Sequence, residues 1–80
     1  MRLPKDDQDG ALSVERVLRV LRNNGVVVQE SEPGTYLLSM EGIYEVQLFE
    51  DRVTRKVIQH LARLFGINTI DFYYPNRKMN

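Results

Sequence analysis

The side chains best able to bind a ligand gather in one stretch. Arg52, Arg55, Lys56 and Arg63 fall between residues 52 and 63 with no acid among them, and Gln59 lies between them. On a helix these positions share one face, because residues three and four apart are neighbours. A cationic stripe of this kind suits phosphate, and double-stranded RNA is held largely through phosphate and 2′-hydroxyl contacts across its grooves. Arg16 and Arg19, on an earlier helix, extend the candidate surface. Each phosphate contact would add a salt slope of about −0.9 on duplex DNA, with a similar electrostatic dependence on RNA. Glu50 and Asp51 sit beside the stripe and would repel phosphate. Arg and Lys also favour any solvated helix face through their good helix propensity.

Chemistry finds little else to work with. His60 is the single histidine. A general base needs an orienting partner and a tuned pKa. Lys56 and Arg63 are cations, and no acid shares the helix, so His60 reads as a boundary residue on a polar face. One His and no Cys give no zinc set. The carboxylates fall at turns, helix starts and one polar strand face, and a glycosidase pair would need a cleft. The five glycines are isolated, so no Gly-rich phosphate loop exists. No catalytic residue, metal or cofactor is expected. Tyr36, Tyr44, Phe49, Phe72, Tyr73 and Tyr74 could stack bases, but strand aromatics also serve as core and cross-strand pairs. Tyr73 is the expected exposed ring if Ile70, Phe72 and Tyr74 face inward.

Eighty residues make one domain. A chain this short buries roughly 60–65% of its unfolded surface, so its core is thin and self-association would help it. The absence of Cys fits a reducing cytosol. The first ten residues lack an apolar run of the signal-peptide kind, and no stretch approaches the roughly 20 apolar residues of a membrane helix. The expectation is a cytoplasmic, soluble chain. Eleven basic and 11 acidic residues give a formal net charge of zero, which argues against strong nucleic-acid binding. The charges are segregated, however. Residues 26–51 hold six acids and no Lys or Arg, whereas Arg16, Arg19 and Arg22 outnumber Glu15 earlier in the chain. Local potential then matters more than the sum.

The elements that must position these groups follow from periodicity. Asp51–Gly66 reads as the strongest helix, with Val53, Val57, Leu61 and Leu64 at helical spacing, Ile58 and Phe65 widening the stripe, Asp51 as N-cap and Gly66 at the left-handed stop. Residues 12–24 read as another, with Ser13 as N-cap, Val14, Val17, Leu18 and Leu21 inward, and Asn24-Gly25 ending it. Three strands lie between. Val26–Glu30 and Tyr36–Met40 flank the Pro33-Gly34 turn, and Ile43–Phe49 follows Glu41-Gly42. A two-residue loop would put Tyr44, Val46 and Leu48 with Leu37 and Ser39. A three-residue Glu41-Gly42-Ile43 loop would put them with Tyr36, Leu38 and Met40. The latter gathers more apolar surface on one face and is the expected register. Ile70–Tyr74 is a last strand candidate, ended by Pro75. The expected fold is α+β, in the order α-β-β-β-α with an extra C-terminal strand. Two helices cover one face of an antiparallel sheet. A flexible arm over 1–10 and a tail over 76–80 flank a domain over 11–75.

From about Ser13 to Ile67 the chain resembles the HicA-like family, whose members share the layout of double-stranded RNA-binding domains. The carriers are the helix ending in Asn24-Gly25 before a Val-rich strand, the Gly-containing turn, and Val57–Ile67, which is similar to that family's closing helix ending in Gly-Ile. The family's turn between the first two strands usually reads Gly-Ser-His, and that His is tied to mRNA cleavage. Here it reads Gly34-Thr35-Tyr36. The resemblance implies a toxin-antitoxin-type RNA-binding surface without the ribonuclease His.

Two functions therefore compete. The first is a module for structured RNA using Arg52, Arg55, Lys56, Arg63, Arg16 and Arg19. The alternative is a non-enzymatic protein-interaction domain, a homodimer or adaptor, using the acidic sheet or the edge offered by Ile70, Phe72, Tyr73 and Tyr74.

Overall fold

The computed structural model describes residues 10–74. Of the arm expected over 1–10 only Gly10 is described, and Pro75 and the tail over 76–80 lie outside the described residues. The fold is α+β, with elements β1 (Leu12–Ser13), α1 (Val14–Asn23), β2 (Val27–Glu32), β3 (Thr35–Met40), β4 (Ile43–Leu48), β5 (Arg52–Val53), α2 (Arg55–Phe65) and α3 (Ile70–Tyr73).

Helix α1 starts where its cap allows. The Ser13 hydroxyl accepts the Arg16 N–H, one of the first-turn donors that no helical carbonyl can reach. It stops at Asn24-Gly25, where Gly25 has φ +90° and the Val26 amide bonds back to the Leu21 carbonyl. Val17, Leu18, Val20 and Leu21 form its buried stripe. Helix α2 buries Ile58, Leu61, Ala62 and Phe65, with Val57 and Leu64 half-buried beside them.

The expected start of α2 is corrected. Thr54, not Asp51, is the N-cap, its hydroxyl accepting the Val57 N–H. Arg52 and Val53 are extended and pair antiparallel with Ser13 and Leu12 as the small β1–β5 ribbon. Leu12 and Val53 are both buried. A two-residue pairing between segments 40 positions apart leaves no periodic trace in the sequence.

The expected C-terminal strand is also corrected. Ile70–Tyr73 is a helical turn, opened by Asn68, whose side-chain carbonyl accepts the Ile70 N–H. Phe72 is fully buried and belongs to the core. Its apolar neighbours resemble strand alternation, but a single buried anchor can be set equally well by one helical turn.

The main sheet is an antiparallel meander in the order β2-β3-β4. Its inner face carries Leu38, buried, with Val28, Tyr36, Met40 and Ile43 half-buried against the core. Helix α1 packs beside β2, and α2 is tied to β4 through its histidine. Ser31 is an extra residue between the Glu30–Tyr36 and Glu32–Thr35 pairs, a bulge that twists β2 near the Pro33-Gly34 turn.

The expected register of β4 is reversed. Met40 pairs with Ile43, so Glu41-Gly42 is a two-residue loop, with φ +46° at Glu41 and +86° at Gly42. Positive φ at both central positions is the turn whose twist matches that of the flanking strands. Ser39 then faces Tyr44, Leu37 faces Val46 and Thr35 faces Leu48. Tyr44, Val46 and Leu48 therefore point away from the helices, and Glu45 and Gln47 point inward.

Candidate functional site

The register places an apolar set on the outer face of the sheet. Val27, Leu37, Tyr44, Val46 and Leu48 are between 37% and 79% exposed, with Tyr44 and Leu48 the most open. Directly opposite residues of an antiparallel pair share a face. The pairings Val27–Ser39, Ser39–Tyr44, Gln29–Leu37, Leu37–Val46, Glu32–Thr35 and Thr35–Leu48 therefore define one surface. Its other members are Gln29, Thr35, Ser39 and, at the bulged end, Glu32. No Lys or Arg lies on it. The expected acidic sheet is thus misplaced: Glu30 and Glu45 oppose the inward Tyr36 and Leu38, and Glu41 sits in the turn. Alternation in β4 was legible in the sequence, but which half of it faced water depended on the loop length.

The inward polar residues of β4 make a second cluster. Glu45 Oε2 lies 2.9 Å from His60 Nε2 on α2, and Gln47 Nε2 donates to the same Glu45 oxygen at 2.7 Å. His60 thus has the orienting carboxylate that its own helix lacks. Its side chain is half exposed and that of Glu45 largely covered. The cluster joins α2 to the edge strand β4. Among the described residues no group of three His, Asp or Glu is placed to hold a metal.

The six cationic candidates are spread over α1, β5 and α2. Arg16 is committed to the fold. Its Nε donates to the Phe72 carbonyl at 3.1 Å and its Nη2 to the Tyr73 carbonyl at 2.7 Å. These are end-of-helix acceptors that α3 cannot satisfy itself. Arg16 therefore clamps α3 to α1. Arg52 leaves the helix and donates from Nη2 to the Ala11 carbonyl at 3.2 Å. Arg55 and Lys56 remain in the first turn of α2, and Arg63 lies in its last turn, about 12 Å farther along the axis by helical rise. Arg19 is exposed on α1.

No family model matches the chain, and no curated protein or solved structure matches it. Its function must be read from its own surfaces.

The expected C-terminal edge surface is dispersed. Phe72 is core, and Tyr73 is half-buried with its hydroxyl donating to the Gly10 carbonyl at 2.6 Å. Burial pushes the Tyr73 phenol above its ordinary pKa, against the opposing pull of the Arg55 charge. The exposed tyrosines are Tyr44 and Tyr74, not Tyr73. Tyr36 and Phe49 pack against each other at a tilt of 34° with centroids 5.6 Å apart, and Phe49 is buried. Ile70 and Tyr74 stay exposed as single side chains on α3 and just past it. No helix among the described residues is long and apolar enough to cross a membrane.

Proposed function

We propose that this chain is a protein-docking module that works through the outer face of its β2-β3-β4 sheet. The observation that carries this reading is the cluster of Val27, Leu37, Tyr44, Val46 and Leu48 exposed on one face. Single exposed apolar residues are ordinary, but a contiguous set is characteristic of interaction sites. Strands of six residues give a face about 20 Å long and, across three strands, about 10–14 Å wide. Such a face costs solubility when bare and contributes nothing to the core, whose apolar side lies opposite. The test is a photo-crosslinking amino acid at Tyr44 in cells, with the same group at Glu15 on α1 as control. Adducts from position 44 and none from position 15 are expected. No adduct at position 44 would overturn the reading.

The first turn of α2 favours a second reading, a structured RNA bound through phosphate. Arg55 and Lys56 occupy that turn and it contains no acid, although the positive end of the helix dipole normally disfavours cations there. An anion would relieve that arrangement, and the HicA-like resemblance points the same way. Titration of a generic double-stranded RNA at two salt concentrations tests it. Binding that falls steeply with salt and is lost in Arg55→Glu plus Lys56→Glu is the expected result. No binding at low salt would sink it.

A further inference from the structure

We infer that the occupant of the outer sheet face is a second copy of this chain, packed face to face about a two-fold axis. The inference rests on the docking reading above and adds the partner. Three features favour self-association over a foreign partner.

The first is charge. Among the described residues of that face only Glu32 carries a charge at neutral pH, and it sits at the bulged end of β2. A basic or acidic partner would find almost nothing to pair with, whereas a second copy brings an equally neutral face. The whole chain has a formal net charge of zero, so two copies approach without net repulsion.

The second is shape. Two copies of one twisted antiparallel sheet can pack in the aligned manner, about 10 Å apart and rotated by about 30°. Leu37 lies on the central strand between Gln29 and Val46, so the axis would pass near it. Tyr44, Leu48 and Val27 would surround it. The neutral polar residues Gln29, Thr35 and Ser39 cost little to desolvate beside them compared with charges.

The third is area. The five apolar residues with their polar neighbours offer on the order of 500 Å² per copy, so about 1,000 Å² in total. That is the lower bound for a specific interface and belongs to the class of weak, reversible associations rather than obligate dimers.

The outer edges of β2 and β4, which pair with no other strand among the described residues, offer the competing geometry, two sheets joined edge to edge. It would leave the five apolar side chains exposed, which is why the face is preferred.

Sedimentation equilibrium of the full chain between about 1 and about 500 µM tests the proposal. The expected mass moves from 9.4 kDa towards twice that value as concentration rises. Leu37→Glu and Val46→Glu should each weaken association at least tenfold without lowering the thermal midpoint. Should either fail to fold, Tyr44→Ser, which removes an exposed ring and no core contact, should still weaken it severalfold. In a mixture of labelled and unlabelled chains, intermolecular contacts should join the Leu37 and Val46 methyls to outer-face side chains of the other copy. A mass of 9.4 kDa at the highest concentration overturns the proposal. So does a dimer indifferent to all three substitutions, or one whose intermolecular contacts run along the β4 backbone. A monomer whose Tyr44 crosslinks to a different protein overturns the second copy and leaves the docking reading standing. A monomer with no adduct overturns both.

Discussion

Arg16 shows how a residue's type can mislead about its work. Its spacing with Arg19 and Arg22 places it on a solvated cationic face, yet its guanidinium spans to α3 and binds two carbonyls there. Charge-assisted bonds of this kind contribute roughly 1.5–3 kcal/mol each when a neutral carbonyl would otherwise be unpaired. Arg16→Met removes both bonds and should therefore cost at least about 3 kcal/mol in urea denaturation, and Arg19→Met less than about 0.5 kcal/mol. Tyr73 ties the other end of the same corner through its hydroxyl. Its folded pKa lies above the unfolded value of 10.0, chiefly through burial. The folded state then holds the phenolic proton more tightly, so this stabilisation is complete below pH 10 and is lost as pH rises through the folded pKa. Tyr73→Phe should remove that alkaline loss and cost about 1 kcal/mol at neutral pH through the missing hydrogen bond. Denaturant titrations from neutral pH into the alkaline range would show both. His60 teaches the converse, since its carboxylate partner lies 15 positions away on another element and no search along its own helix could find it.

The hairpin loop is the element on which the functional reading turns. Glu41 adopts φ +46°, a left-handed conformation that side chains other than Gly, Asn and Asp adopt at a cost. Glu41→Asn would create the preferred Asn-Gly pair and should stabilise by roughly 0.5–1 kcal/mol. In a domain of this size that is a rise of about 3–6 °C in the thermal midpoint. An unchanged or lower midpoint would argue against the two-residue loop and so against the outward direction of Tyr44, Val46 and Leu48. Maximising apolar burial on one face picked the other register. That criterion fails here because β4 is an edge strand. On its inner side Gln47 and His60 both bond the Glu45 carboxylate, so polar residues fit inward.

At the scale of the molecule the charges and the apolar face are separate systems with opposite responses to salt. Exposed charges are screened over a Debye length of about 10 Å at 0.1 M, whereas apolar association does not depend on them. Self-association should therefore hold or strengthen between about 50 and 500 mM salt, and any RNA retention should collapse over the same range. Measuring both on one sample separates the two surfaces. The same molecule can carry both, because Arg55 and Lys56 lie on α2 and the apolar face lies on the sheet side remote from the core.

The amino-acid sequence by itself determined the α+β class, both long helices, the three-stranded meander, the Ser13 cap and the Gly25 and Gly66 stops. All of these rest on interactions within a few residues, through periodicity, capping and turn chemistry. Tertiary structure alone decided the β1–β5 ribbon, the Arg16 clamp and the Glu45–His60 bridge, because each joins segments distant in the chain, and the turn at Phe72, because that ring is buried in the shared core. It also decided which face of β4 meets water. A single residue of loop length inverts every side chain of a strand, and here that inversion turned an expected core face into an exposed apolar one.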